Sequence, residues 1–100
     1  MNIYLQKPIT GKTTKLIQES AKSGYYIVCM STKEVSEVHM MALKMRLNIP
    51  FPLTFDEFIA GNFYGKGIKG FLIDDADLLL NRMGRGVPIV SVSMTEQVDV

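Results

Sequence analysis

The stretch Gln6-Lys7-Pro8-Ile9-Thr10-Gly11-Lys12-Thr13-Thr14 decides the fold of this 100-residue chain. It follows the spacing G-x-x-x-x-G-K-[ST], except that Gln6 stands where the pattern has its first glycine. The apolar residues 3–5 precede the stretch with the character of a strand, and residues 13–22 follow it with helical character. A strand, a loop and a helix in this order are the context that the pattern requires.

The residue types of this loop suit the binding of phosphate. A helix N-terminus offers free backbone N–H groups and the positive end of the helix dipole, and Gly11 has no Cβ atom to keep an anion away. Lys12 would reach the terminal phosphates of a nucleotide, and the Thr13 hydroxyl would hold Mg²⁺. Gln6 leaves open the alternative of a strand–turn–helix unit without a ligand. The residues expected to contact a nucleotide are Lys7, Pro8, Ile9, Thr10, Gly11, Lys12, Thr13 and Thr14.

A second polar cluster ends an apolar strand further along the chain, in Gly70-Phe71-Leu72-Ile73-Asp74-Asp75-Ala76-Asp77. This segment resembles the second nucleotide-binding motif of P-loop NTPases, in which a carboxylate at the end of the strand holds the magnesium shell. The resemblance makes Asp74 a metal ligand together with Thr13. Asp75 stands where related ATPases carry a Glu that orients the attacking water, so Asp75 and Lys12 are the candidate catalytic residues. Asp75 or Asp77 could instead be a helix N-cap, because Asp is favoured there.

A third segment, Val87-Pro88-Ile89-Val90-Ser91-Val92-Ser93, is expected to be a buried strand. Together with residues 74–77, Ser93 and Thr95 resemble the paired Asp-Glu-Ala-Asp and Ser-Ala-Thr motifs of DEAD-box helicases. In that family the Ser and Thr couple the nucleotide site to nucleic-acid contacts. A polar strand end without a function stays equally open for these two residues. By its order of motifs, the chain resembles a reduced P-loop NTPase core of the helicase and AAA+-like branch.

Composition indicates a single folded domain over residues 1–100. Hydrophobic residues make up 47% and charged residues 21%, as in ordinary globular proteins. The net charge of +1 gives no general attraction to nucleic acid or membranes, and no apolar stretch approaches the ~20 residues of a membrane span. Cys29 has no second cysteine to pair with, which favours a reducing compartment. We therefore expect a cytoplasmic protein without a membrane partner.

Strand and helix patterns alternate along the chain. The alternation indicates right-handed crossovers and a parallel sheet, and continuous apolar strands indicate helices on both faces. We therefore expect an α/β three-layer sandwich, P-loop NTPase-like, with a small parallel sheet of four or five strands. The resemblance places strand 87–93 between strand 2–6 and the strand that ends at Asp74. The expected strands are 2–6, 25–30, 70–74 and 87–93, and the expected helices are 12–23, 33–47, 76–82 and a short one within 54–61.

Two kinds of surface indicate partners. Met40 and Leu43 widen the apolar stripe of the long second helix, so their exposure would mark a face for a protein partner or a second copy. The glycine-rich basic loops 65–70 and 82–86 suit a nucleic-acid backbone. In an oligomer, Arg82 or Arg85 could act as an arginine finger on a neighbouring subunit.

The resemblance implies a domain that binds ATP, or GTP, with Mg²⁺, hydrolyses it weakly at most and acts with a protein partner. The alternative is a degenerate version of the fold that serves as a protein-interaction module, similar to small accessory or inhibitor proteins of phages. Gln6, the shorter Asp75 and the length of the chain favour this alternative. A nucleic-acid-binding accessory protein is the third interpretation.

Overall fold

A computed structural model describes residues 11–61, 63, 67–93 and 95 of the chain. The strand expected at residues 2–6 lies outside the described residues. The helices are α1 (Lys12–Ser23), α2 (Thr32–Lys44), α3 (Phe55–Ala60) and α4 (Ala76–Met83). The strands are β1 (Tyr26–Cys29), β2 (Leu53–Thr54) and β3 (Phe71–Ile73).

The described strands form one parallel sheet in the order β2-β1-β3. Val28 in the centre of β1 is opposite Leu53 on one side and Ile73 on the other. Three of the four residues of β1 are buried, as expected for a central strand that is covered on both faces. The backbone N–H of Asp74 donates to the carbonyl of Val28 at 3.1 Å, so Asp74 lies at the C-terminal edge of the sheet.

Successive side chains of β1 point to opposite faces of the sheet, and helices cover both of these faces. Ile27 and Cys29 pack in one core with residues of α1 and α2, whereas Val28 packs in a second core with residues of α3 and α4. The α/β class with a parallel sheet is therefore confirmed. The first core also contains Leu16, Ile17, Val35, Val38, Ala42 and Leu72, and the second contains Met30, Leu53, Phe55 and Leu79.

Residues 87–93 do not form the expected strand. They lie outside the described sheet, and Val90 is 91% exposed. The chain turns immediately after α4, where Arg85 and Gly86 have φ angles of 53° and 90°. The apolar composition of the segment shows only that it could fit a sheet, because strand pairing depends on a partner distant in sequence. The prediction that this segment lies as a strand beside the Asp74 strand is wrong.

Two further boundaries differ from the expectation. The helix α2 ends at Lys44 instead of continuing to residue 47, because Arg46 adopts a left-handed conformation with a φ of 58°. No glycine stands at this helix end, so the sequence lacks the common signal for it. The two-residue strand β2 was not expected, since Pro50 and Pro52 mark the region before it as a chain break.

Candidate functional site

The C-terminal edge of the sheet joins two segments that are far apart in the sequence. The hydroxyl of Thr13, in the first turn of α1, donates a hydrogen bond to Oδ2 of Asp74 at 3.3 Å, across 61 positions of sequence. The ammonium group of Lys12 forms a hydrogen bond and ion pair with Oδ1 of Asp75. The start of α1 and the end of β3 therefore meet in one cluster of four polar side chains.

The N-terminus of α1 differs from the other helix starts that the structure describes. Gly11 is its N-cap, no described side chain caps its first turn, and no acidic residue lies in that turn. By contrast, Ser31 caps α2 and Thr54 caps α3, and Asp77 lies in the first turn of α4. Helix α1 thus presents the positive end of its dipole without a neutralising carboxylate in its own first turn, which favours an anion nearby.

Gly11 itself is not held in a conformation that requires glycine. Its φ angle is −78°, and among the described residues an added Cβ atom would meet the Cβ of Thr14 at 3.9 Å, an ordinary contact. Thr14 is half-buried in the first turn of α1. The remaining residues expected to contact a nucleotide, Lys7, Pro8, Ile9 and Thr10, lie outside the described residues.

Asp74 is a buried carboxylate with one oxygen that lacks a partner. It is only 5% exposed, and its Oδ1 atom has no hydrogen-bond partner in the part of the chain that the structure describes. Burial raises the pKa of Asp74 and the nearby Asp75 raises it further, while Lys12 and the Thr13 hydroxyl lower it. A buried oxygen without a donor is costly unless a cation or a donor binds it.

Thr13 and Asp74 therefore fit a magnesium ion. Mg²⁺ prefers oxygen ligands, and it binds through one or two carboxylates together with the phosphates of a substrate. A threonine hydroxyl and an unpartnered carboxylate oxygen at the same point supply ligands of this kind. Within the described residues, no group of three or more His, Cys, Asp or Glu side chains could hold a metal ion. The remaining ligands would have to come from water and phosphate.

Asp75 occupies the N-cap position of α4 but does not cap it. Its backbone is left-handed, with φ 60° and ψ 61°, a conformation that Asp tolerates better than most residues. Its carboxylate accepts no hydrogen bond from the first turn of α4 and contacts Lys12 instead. The hydrogen bond with Asp75 is the largest cause that raises the pKa of Lys12, against a smaller effect of burial. The side chain of Asp75 therefore belongs to the cluster and not to the helix end.

Other expected functional residues have no described contact with the cluster. Ser93 and Thr95 are exposed and make no described hydrogen bond to it. Arg82 has its partners within the chain: Nη1 donates to the carbonyl of Met30 at 2.7 Å, and the guanidinium carbon lies 4.5 Å from the centroid of the Phe55 ring. Its bonds connect α4 to the ends of β1 and β2, a role that no local sequence signal indicates.

The comparisons with known proteins leave function to be inferred from this site. No protein-family model, no curated protein and no solved structure matches the chain. Among the described helices, none has both the length and the apolar character needed to cross a membrane. The exposed fractions of Met40 and Leu43 are 52% and 56%, so the expected partner face on α2 does present apolar side chains to solvent.

Proposed function

We propose that the chain is a P-loop NTPase-like domain that binds ATP, or GTP, with Mg²⁺ and acts together with a protein partner. The observation that carries the proposal is the contact of Thr13 with Asp74. The Gly-Lys-Thr pattern and the acidic strand end are each recognisable alone, and neither requires the other to be near. Their meeting at the C-terminal edge of a parallel sheet is the arrangement expected for a ligand site in an open α/β sheet.

Each residue of the cluster has a role in this proposal. Thr13 and Asp74 hold the metal ion, which neutralises negative charge on the phosphates when it is bound. Lys12 binds the terminal phosphates, and the backbone N–H groups at the start of α1 bind the phosphate chain. Asp75 is the acidic group available to orient a water molecule. The loop residues Lys7, Pro8, Ile9 and Thr10, with Gly11 and Thr14, complete the proposed contacts.

Hydrolysis is expected to be weak at most in the isolated chain. Phosphoryl transfer depends on positioning and on neutralising charge around the phosphates. Asp75 is shorter than the Glu of related ATPases, and Arg82 is engaged with Met30 and Phe55. The P-loop class and a sheet of four or five strands belong to the same proposal, and the strand predicted for residues 2–6 remains a prediction.

A calorimetric titration with ATP tests the proposal. Wild type is expected to bind ATP in the presence of Mg²⁺, and Lys12→Ala is expected to weaken this binding at least about tenfold, because a charge-assisted bond to phosphate is lost. Lys22→Ala is the matched control. It removes the same charge from the same helix, but at the exposed last turn. Competition with GTP then determines which base is preferred.

A folded wild type that binds no nucleotide with Mg²⁺ would overturn the proposal. The second candidate, a protein-interaction module without nucleotide turnover, would then take its place. The observation that favours this candidate is the exposed pair Met40 and Leu43 on α2. Under this candidate the ion pair of Lys12 and Asp75 would be a structural contact that no ligand displaces.

A further inference from the structure

We propose that Asp75 is an autoinhibitory residue, which occupies Lys12 and must be displaced before a nucleotide phosphate can bind. This inference rests on the proposed nucleotide function and concerns the regulation of that same site. Because Lys12 already contacts Asp75, a nucleotide phosphate and Asp75 would compete for one ammonium group.

The contact is direct and partly buried. The side chains of Lys12 and Asp75 are 24% and 23% exposed, and Nζ of Lys12 donates to Oδ1 of Asp75. A phosphate oxygen that binds Lys12 would use another N–H of the same ammonium group and would lie close to the Asp75 carboxylate. The two anions would also repel each other at close range, since solvent screens partly buried charges less than exposed ones. Phosphate and Asp75 therefore cannot both bind Lys12 without a cost in affinity.

The backbone holds Asp75 toward Lys12. The carbonyl of Asp75 accepts the N–H of Leu79 at 3.1 Å, so the residue is anchored at the start of α4. An Asp at this position ordinarily turns its carboxylate to the first N–H groups of the helix. Here that bond is absent, and the left-handed backbone accompanies a carboxylate that contacts Lys12. The structure thus favours the ion pair over the common local alternative.

Asp75 is also expected to make binding depend more strongly on magnesium. Asp74 and Asp75 are adjacent carboxylates at the place where the phosphates would lie. A nucleotide without a metal ion meets both negative charges, whereas Mg²⁺ held by Asp74 and Thr13 offsets them. Removal of the charge of Asp75 should therefore tighten binding and should help most when no Mg²⁺ is present.

The test is a calorimetric titration with ADP, with and without Mg²⁺, on wild type, Asp75→Asn and Asp77→Asn. ADP has no γ-phosphate, so hydrolysis does not contribute to the measured affinity. Asn keeps the size of Asp and its tolerance of a left-handed backbone. Asp77→Asn removes the same charge from the first turn of α4, at an exposed residue. We expect Asp75→Asn to bind about tenfold more tightly than wild type, and Asp77→Asn to differ by less than about twofold.

The outcomes separate the two proposals. Tighter binding by Asp75→Asn than by wild type supports autoinhibition. Equal or weaker binding by Asp75→Asn, or an equal gain in Asp77→Asn, overturns it and leaves the nucleotide function standing. No binding by any of the three folded proteins overturns both. Asp75→Gly also removes the carboxylate and accepts a φ of 60°, so it replaces Asp75→Asn if that variant fails to fold.

Discussion

Asp74 shows how single residues of the cluster work against the stability of the fold. Its carboxylate is buried beside the carboxylate of Asp75, and one of its oxygens has no described hydrogen-bond partner. A packed core does not need such a group, since burying a charge without full compensation is unfavourable. Proteins keep features of this kind where function requires them.

Replacing Asp74 by Asn is therefore expected to stabilise the chain in the absence of ligands. We expect the free energy of unfolding to rise by about 1 kcal/mol, the common size of such gains, and Tm to rise by about 4–8 °C. Magnesium-dependent nucleotide binding should be lost in the same variant. Urea unfolding without Mg²⁺ measures the first effect, with Asp77→Asn as the exposed control. A clearly destabilised Asp74→Asn would show that the carboxylate supports the fold.

Cys29 gives a pH-dependent prediction. Burial, together with the smaller effect of the nearby carboxylates of Asp74, Glu34 and Asp75, raises the pKa of its thiol from 9.0 to about 12. The unfolded thiol ionises above pH 9 and the folded one does not. Stability is therefore unaffected by this group below pH 9 and falls as pH rises from 9 to about 12.

Denaturant unfolding at pH 8 and pH 10 measures this effect. Wild type should lose about 1 kcal/mol more than Cys29→Ala between the two values, because a shift of one pKa unit corresponds to 1.36 kcal/mol. Other groups titrate in both proteins and cancel in the comparison. An equal loss in the two proteins would contradict the assignment of a buried, neutral thiol.

Among the helices and strands, α3 is the one whose stability depends most on the residues at its N-terminus. It has six residues, and it begins with a capping box in which Thr54 and Glu57 each accept the backbone N–H of the other. A helix this short gains little from its own hydrogen bonds, since the first turn is costly to form. The box therefore fixes the helix directly after β2 and places Phe55 in the second core.

Thr54→Ala should lower the free energy of unfolding by about 1 kcal/mol, the typical cost of losing an N-cap. Thr32→Ala, at the exposed first residue of α2, is the matched control and should stay within about 0.5 kcal/mol of wild type. Chemical denaturation of the three proteins gives both values. Similar losses in the two variants would mean that the box does not stabilise α3.

The central strand and the segment after α4 differ in burial although both are rich in valine. Val28→Ala should cost about 2–3 kcal/mol, because this residue is fully buried between two neighbouring strands. Val90→Ala should change stability by less than about 0.5 kcal/mol, because its side chain faces solvent. Unfolding curves for the pair test the described position of residues 87–93. A large loss of stability in Val90→Ala would show that residues 87–93 pack in the core.

Across the whole molecule, features that depend on residues close in sequence were predicted better than features that depend on residues distant in sequence. Helix 12–23 coincides with α1, and helix 76–82 differs from α4 by one residue, because apolar spacing and end signals act within a few residues. The strand predicted for residues 87–93 does not form, because strand formation depends on a partner elsewhere in the chain. Helix α2 ends near Arg46, whose left-handed conformation is seldom predictable from sequence.

The candidate site was foreseeable in part for the same reason. In a parallel sheet the carboxyl ends of the strands share one edge, so the start of α1 and the end of β3 could be expected near each other. The pairing of Lys12 with Asp75 and the unpartnered oxygen of Asp74 could not, because they depend on the packed positions of side chains. The use of Arg82 to join α4 to β1 had no local signal either.

The parallel sheet also separates acidic from basic side chains in the part of the chain that the structure describes. Among the described residues, the helices begin at one rim, where acidic side chains in first turns outnumber the basic Lys12 and Arg82, while Lys22 and Lys44 lie in last turns at the opposite rim. A permanent dipole of this kind orients a protein in an external field, whatever its net charge. The chain should therefore adsorb to an anion-exchange resin by its acidic rim despite a formal charge of +1, and MgCl₂ should elute it at lower ionic strength than NaCl. The acidic first-turn residues are Glu34, Asp56, Glu57 and Asp77.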